Sequence, residues 1–433
     1  MNVVFFVLVL VAFLAAAWQQ FGDSGGESTP MDVLSKAMID SAGGAVELAI
    51  GLVGVMALFL GLMKIAEEGG LLTILARLIR PMMVRLFPDV PAEHPAMGAM
   101  ILNMSANVLG LGNAATPFGI RAMQELNKLN PHQGVATDSM VLFLAINTSS
   151  ITLLPTGVIA LRASAGSADP AGILPTTLFA TACSTVIAII AALTYRRFFP
   201  VKAPVVADTG IPNGAEKVDE QEVVAELPTE QKSYPLWVSY AVLLGFLALI
   251  PLTVLYGQVI SPWILPGIML GFLLFGMARG VRIYECFVEG AKDGFQVALK
   301  IIPYLVAILV AVGMFRASGA LDWLVGALGS VTSLVGLPAE ALPMALLRPL
   351  SGSGAYGVMA SIINDPAVGP DSYVGYLVST LQGSTETTFY VLAVYFGAVQ
   401  IRRIRHALAV GLTADLAGVI TAVIAVSFLY GQL

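Results

Sequence analysis

Two short polar runs sit in the middle of apolar segments and set the terms for the whole chain. The first, Asn147-Thr148-Ser149-Ser150-Ile151-Thr152, lies inside VLFLAINTSSITLLP. The second, Gln382-Gly383-Ser384-Thr385-Glu386-Thr387, lies inside YLVSTLQGSTETTFYVL and aligns with the first without a gap. Each is preceded by another apolar segment interrupted by Gly, Ser and Asn: NMSANVLGLGNAATPFGIRAM in one case, LLRPLSGSGAYGVMAS in the other. A chain that carries this pair of features twice, over 103–152 and 347–387, reads as two structural repeats whose polar breaks meet at a site.

The background in which the runs stand is 57% hydrophobic and 12% charged, with a mean hydropathy of +0.84. That excludes an ordinary soluble domain and implies an all-α polytopic membrane protein embedded in a lipid bilayer. The net charge of -6 resides largely in one linker and one loop, and no basic run points to nucleic acid. Cys183 and Cys286 are far apart, without metal-ligand spacing, and read as two free thiols. His94, His132 and His406 fall in loops or at helix ends and read as interfacial residues, so no metal site is expected.

In chain order, residues 2–18 form an apolar anchor helix that lacks the basic start of a cleaved signal. A span is expected at 44–63. Residues 71–87 place Arg77, Arg80 and Arg85 among leucines and methionines around Pro81, which suits a helix lying in the interface. The first polar break falls in 96–123, and full spans follow at 139–161 and 172–194. Residues 201–233 are hydrophilic, rich in Glu, Pro and Ala, and form a flexible acidic linker between a first half at 1–200 and a second at 234–433. The second half offers spans at 236–256, 259–278 and 297–315. It continues with an interfacial segment at 321–337, the second break at 342–363, and spans at 373–399 and 407–430.

If both broken segments are re-entrant hairpins and the N-terminus is cytoplasmic, all 22 Lys and Arg except Lys36, Arg162, Arg316 and Arg348 lie inside. The hairpins then open from opposite faces, and the halves are inverted-topology repeats, with nine spans, two hairpins and an external C-terminus. A single crossing at 96–123 breaks the charge rule more often.

Non-helical backbone survives at membrane depth only where protein or water satisfies it. Gly110, Gly112, Pro117 and Gly119 force such breaks in the first hairpin, as do Pro349, Gly352, Gly354 and Gly357 in the second. Beside them, Asn113 and Thr116, and Ser351 and Ser353, offer side-chain oxygens; the competing explanation is that small residues only let helices pack closely. In the two hexapeptides, Asn147, Thr148, Ser149, Ser150 and Thr152 are matched by Gln382, Ser384, Thr385, Glu386 and Thr387. One or two hydroxyls back-bonded to their own helix would mean nothing. Matched clusters suit a polar ligand or a small hard cation such as Na⁺. Glu386 stands in mid-span, where a charge costs roughly 2.5–3.5 kcal/mol, and is suited to bind a cation, carry a proton or receive a substrate hydroxyl or amine. Arg348 is placed either to hold an anionic group or to pair with Glu386. Asp415 is a further proton or cation ligand or, alternatively, a helix-packing hydrogen bond. Glu47 reads as interfacial.

Catalysis finds little support. Ser351-Gly352-Ser353-Gly354 looks like the nucleophile turn of intramembrane serine proteases, but no histidine in a later span supplies a base. Asp415 lacks an aspartyl partner, and no GxxxxGK[ST] loop binds a nucleotide.

At these motifs the chain resembles the bacterial spore maturation proteins A and B joined in one polypeptide. GLGNAATPFGIRAM and INTSSITLLPT are similar to protein A. RPLSGSGAYG, LQGSTETTFYVLAVYFG and RRIRHAL are similar to protein B. Both carry Gate, or nucleoside-recognition, domains, a group related to concentrative nucleoside transporters and to the membrane part of the bacterial ferrous-iron transporter. The resemblance implies paired hairpins and broken helices around a central site in the bacterial inner membrane, and a homo-oligomer by analogy with nucleoside carriers. It does not imply a substrate, and Cys and Met ligands for Fe²⁺ are absent from both hexapeptides. The expected function is therefore secondary transport of a small polar solute, nucleoside-like or an organic anion, coupled to Na⁺ or H⁺ and without a bound cofactor. The alternatives are a non-transporting scaffold or regulatory module docked through the acidic linker or the outer loop, of which a linker-docked one would not tolerate a neutral linker replacement, and a carrier of a lipid-linked substrate.

Overall fold

The computed structural model describes residues 2–22, 29–110, 112–149, 151–200, 234–321, 323, 326, 332 and 336–431. The linker at 201–233 and most of the segment at 321–337 therefore lie outside the described residues. Among those described, the chain is nearly all helix, with a single isolated bridge between Val135 and Arg403.

Helices α1 (Asn2–Gly22) and α2 (Pro30–Glu68) open the chain. α2 starts at a capping box in which Thr29 and Asp32 satisfy each other's backbone, so the helix begins fourteen residues before the expected span at Gly44. The amphipathic α3 (Leu71–Leu86) follows, with Pro81 inside it. α4 (Pro95–Leu109) and α5 (Gly112–Lys128) form the first hairpin. The chain turns at Gly110, whose φ of +77° disfavours any side chain and whose Cβ would stand 2.7 Å from the Leu154 carbonyl. Asn103 on α4 reaches the Ala115 carbonyl on α5 at 2.7 Å, which closes the hairpin.

The expected span at 139–161 is broken into α6 (Asp138–Thr148) and α7 (Thr156–Ser164), with the first hexapeptide running through the gap. α8 (Ile173–Tyr195) matches expectation. The two spans expected at 236–256 and 259–278 are instead one helix, α9 (Leu236–Ala278). The Tyr256-Gly257-Gln258 triplet between them does not end it, because one glycine costs only about 1 kcal/mol relative to alanine. α10 (Ile283–Ala317) follows. The second hairpin consists of α11 (Leu342–Leu347) and α12 (Gly352–Ile363). The expected span at 373–399 is again broken, into α13 (Tyr373–Ser384) and α14 (Thr388–Ala398), and α15 (Ala407–Tyr430) closes the chain.

α2, α8 and α15 are each long and apolar enough to cross a membrane. α2 and α10 run antiparallel at close range. Cβ atoms built on Gly290 and Gly294 of α10 would stand 2.5 Å from the Leu60 carbonyl and 2.6 Å from the Ala57 Cα of α2. Small residues thus let two long backbones touch.

The core explains how the breaks are held. One buried cluster gathers α3, α4, α5 and α6 with Val391, Leu392, Tyr395 and Phe396 of α14. The other gathers α2, α11, α12 and α13 with Val158–Leu161 of α7. Each broken helix therefore starts in the core of its own hairpin and ends in the core of the other. The two polar breaks are the places where the chains change sides.

Candidate binding site at the crossing of two broken helices

The crossing is defined by backbone. The N–H of Glu386, in the second break, donates to the carbonyl of Thr148 at the end of α6, at 2.8 Å. Each break is also tied to its hairpin: Leu153 N–H donates to the Val108 carbonyl at 3.0 Å, and Phe389 N–H to the Pro349 carbonyl at 3.1 Å. Four helix ends and two hairpin turns thus converge, and their unpaired backbone groups find partners in one another.

Side chains repeat this pattern. The amide of Asn107 donates to the Asn147 side-chain oxygen at 2.9 Å, and that of Gln382 donates to the Gly352 carbonyl at 3.4 Å. The aligned Asn147 and Gln382 therefore each face their own hairpin. Tyr395, from the opposite half, donates its phenolic hydroxyl to Asn147 at 3.2 Å and accepts from Asn103 at 3.2 Å. Gly119 lies against that phenol.

Charge also collects at the crossing. Arg348 is buried, 3.1 Å from the Thr387 hydroxyl and 3.8 Å from a carboxylate oxygen of Glu386. Glu386 is half exposed, at 52% of its side-chain surface, and stands in non-helical backbone rather than inside a helix. Asp415 on α15 is buried and accepts from the Thr388 hydroxyl at 2.7 Å. Its second oxygen has no protein partner among the described residues, nor do Gln382 Oε1, Thr177 Oγ1, Arg348 Nε and Asn103 Oδ1. A buried polar atom left unpaired costs about 1–3 kcal/mol. Such atoms, gathered around one crossing, are the partners a polar solute or ion would meet.

The candidate residues differ in what they do. Thr148, Ser149 and Ser384 turn their hydroxyls back to carbonyls of their own helices and so finish helix ends. Ser351 caps α12 by accepting from Gly354 N–H at 2.9 Å. Asn147, Gln382, Thr387, Arg348 and Glu386 instead tie each break to the hairpin of its own half. Thr385 is buried beside Gly418, Thr152 is half-buried near Gly110, Thr116 is half-buried on α5, and Ser353 is exposed. Ser150 and the side chain of Asn113 lie outside the described residues.

Sequence reasoning missed Asn103, Asn107 and Tyr395, which carry no periodic signal. It also missed the hydroxyls of α8. Thr176 bonds Thr380 at 2.7 Å, Ser184 bonds the Ala414 carbonyl at 2.8 Å, and Thr185 bonds the Ser149 carbonyl. Spaced along one helix, they tie α8 to α13, to α15 and to the first break, and the run TTLFATACST was the available signal. His406 stands at a helix end, as expected, at the start of α15, and is fully buried there, stacked on Phe199 at 6.1 Å between ring centroids. Cys183 and Cys286 are both free.

Comparison with known proteins shows which family the chain belongs to. The Gate model, described as nucleoside recognition, matches residues 49–165 and 298–402. Spore maturation protein B of Bacillus subtilis is 51% identical over 168 residues, 39% of this chain and 93% of that protein. Spore maturation protein A of the same species is 48% identical over 157 residues, 36% of this chain and 80% of that one. Inner membrane protein YjiG of Escherichia coli is 35% identical over 82 residues, 19% of this chain and 54% of its own length. A solved structure of a doubly substituted CNTnw in an outward-facing state has a TM-score of 0.44 at 12% identity, covering 99% of this chain and 91% of that one. None of these names denotes an enzyme. The two matched segments take in both hairpins and both breaks, and the chain is a membrane protein of the Gate, or nucleoside-recognition, family.

Proposed function

We propose that the chain is a secondary transporter that moves a small polar solute, nucleoside-like or an organic anion, by alternating access around the crossing. The observation that carries this reading is the hydrogen bond from Glu386 N–H to the Thr148 carbonyl, which brings two helix breaks and two hairpin turns to one point. Arg348 and Glu386 are its charged members, with Asn147, Gln382 and Thr387 as neutral ones. Na⁺ or H⁺ is the coupling ion, and Asp415 is the candidate to carry it. The halves at 1–200 and 234–433 are read as inverted repeats, similar to spore maturation proteins A and B in turn. The antiparallel pairing of α2 with α10, and the exchange of α7 and α14 between cores, support that symmetry. The orientation that fits the charges has the N-terminus inside and the C-terminus outside the bacterial inner membrane.

The test is ligand-dependent thermal stabilisation of the purified protein, with and without Na⁺, against nucleosides, nucleobases, small dicarboxylates and amino acids. A ligand that binds only the folded state raises the melting temperature with its concentration. Stabilisation by one class, lost in Asn147→Ala and Glu386→Gln, names the cargo for uptake assays in proteoliposomes. No shift across the panel, with both variants as stable as the parent, would refute a small-solute site at the crossing.

A further inference from the structure

The guanidinium of Arg348 is held in a way that leaves its most selective edge unused. Arg348 follows α11 and is buried. Its Nη1 donates to the Thr387 hydroxyl at 3.1 Å, which anchors the group. Nε has no partner among the described residues, and Nη2 has only the loose approach to Glu386 at 3.8 Å. Nε and Nη2 carry the parallel N–H bonds that receive a carboxylate side-on. A buried donor without a partner is costly, and here the unpaired donor belongs to the edge suited to a planar anion.

The backbone adds to the same place. A Cβ on Gly352, the first residue of α12, would stand 3.5 Å from Nη1 and 2.8 Å from the Thr387 hydroxyl, so the guanidinium lies against the start of that 12-residue helix. Ser351 takes the N–H of Gly354, which leaves those of Gly352 and Ser353 without a helical partner. The positive end of α12 and an open guanidinium edge thus stand together, and both favour a negative group.

Charge balance decides what else the solute carries. Asp415 acts on the same guanidinium through space, so Arg348, Glu386 and Asp415 in their ionised forms sum to one negative charge. A plain anion would be drawn to Arg348 and repelled by both carboxylates. A neutral solute would leave the guanidinium edge unmet. A solute of both signs satisfies Arg348 and Glu386 together and adds no net charge.

We propose that the crossing takes a zwitterionic α-amino acid, with its carboxylate on the Nε–Nη2 edge of Arg348 and the start of α12, and its ammonium on Glu386. Both groups of an α-amino acid hang from one carbon, so with the loose pair they close a ring of charges in which every neighbour is opposite. Gln382, whose amide donates to the Gly352 carbonyl, keeps its buried Oε1 unpaired as a further acceptor for the ammonium. This assignment rests on the crossing being the transport site, and narrows its solute from an organic anion at large to one that also bears an amine.

The experiment measures thermal stabilisation of the purified full chain by the common α-amino acids, one at a time, with nucleosides beside them. For an amino acid that stabilises, the matching amide and the deaminated acid are titrated as well. Each analogue lacks one charge and should bind the parent protein roughly tenfold to a hundredfold more weakly, the worth of one charged hydrogen bond. In Glu386→Gln the amino acid should bind no better than its deaminated analogue, and in Arg348→Gln no better than its amide. The comparison of analogues on the parent protein stands even where Arg348→Gln does not fold. A deaminated acid that binds the parent as tightly as the amino acid overturns the proposal, as do full discrimination retained in Glu386→Gln and stabilisation by nucleosides alone; all three leave a solute site at the crossing standing. Stabilisation by no compound overturns the proposal and the transport-site reading together.

Discussion

Arg162 offers the sharpest test of how the two halves are locked. It is fully buried on α7 of the first half, yet all but two of its hydrogen bonds go to the second half. Its guanidinium meets Asp371 at 2.9 Å, the Pro370 carbonyl at 2.6 Å and Ser379 at 3.4 Å, and it stacks over the Tyr376 ring at 4.2 Å. Removing the carboxylate by Asp371→Ala strands a buried cation, which costs about 3–5 kcal/mol. Asp371 retains 36% side-chain exposure and the two carbonyl contacts persist, so the lower end, about 3 kcal/mol, is expected. In an Arg162→Met background the same change should cost under about 1 kcal/mol, because the exposed carboxylate can be hydrated once the cation is gone. The coupling energy is then about 2–3 kcal/mol. It is measured by reversible denaturant unfolding of the four proteins in one lipid–detergent mixture. A coupling below about 0.5 kcal/mol, with the two single effects simply adding, would mean that packing and not the ion pair joins the halves here.

Three further outcomes follow from single contacts. Gly294→Leu forces a side chain into the Ala57 backbone and should destabilise by about 1–3 kcal/mol or more, whereas Gly245→Leu, with nothing within 4 Å, should be tolerated; equal melting temperatures would contradict the α2–α10 contact. Tyr395→Phe removes the hydroxyl shared by Asn147 and Asn103 and should cost about 1–3 kcal/mol in unfolding, and a variant as stable as the parent would show that these amides find other partners. His406 is held below the usual histidine pKa by burial and by the neighbouring Arg405, so its proton binds the unfolded chain more readily. Stability should be level above about pH 7 and fall as the pH drops below about 6.5. His406→Asn should flatten that part of the curve, and an unchanged slope would remove His406 as its cause.

Much of this was legible in the sequence because breaking a membrane helix requires unusual residues. The glycines at 110 and 352 and the polar runs around Asn147 and Gln382 depart from an apolar background, so the two hairpins could be placed, whereas composition reads 139–161 and 373–399 as spans that the structure breaks at those runs. The continuity of α9 was not legible, because a glycine in an apolar run marks a turn in one context and nothing in another. Nor was the exchange of partners. That α7 packs with α12 and α14 with α4 and α5 depends on the path of the chain through the crossing, and no local pattern records it. Tyr395 shows the same limit. As one tyrosine among twelve it carried no signal until the fold set it between Asn103 and Asn147.

The exceptions to the charge rule lead further. Assigning both broken segments as hairpins left Lys36, Arg162, Arg316 and Arg348 on the wrong side of the membrane. Three of the four stand beside a carboxylate: Arg162 with Asp371, Arg316 with Asp365, and Arg348 with Glu386. The three pairs differ in a way that bears on function. At 2.9 and 2.7 Å the first two are direct contacts that fix the loops around α12 and α13, and both partners are spent. At 3.8 Å, with Glu386 half exposed, the third is at the edge of contact. Direct pairs serve to hold a structure, whereas a loose pair at the meeting point of four helix ends leaves both charges able to engage a solute. Substituting Asp371 should therefore lower stability and leave ligand affinity unchanged, whereas Glu386→Gln should lower affinity and leave the melting temperature of the unliganded protein unchanged. If the two variants behaved alike, Arg348 and Glu386 would be one more structural pair and the site would have to be sought elsewhere.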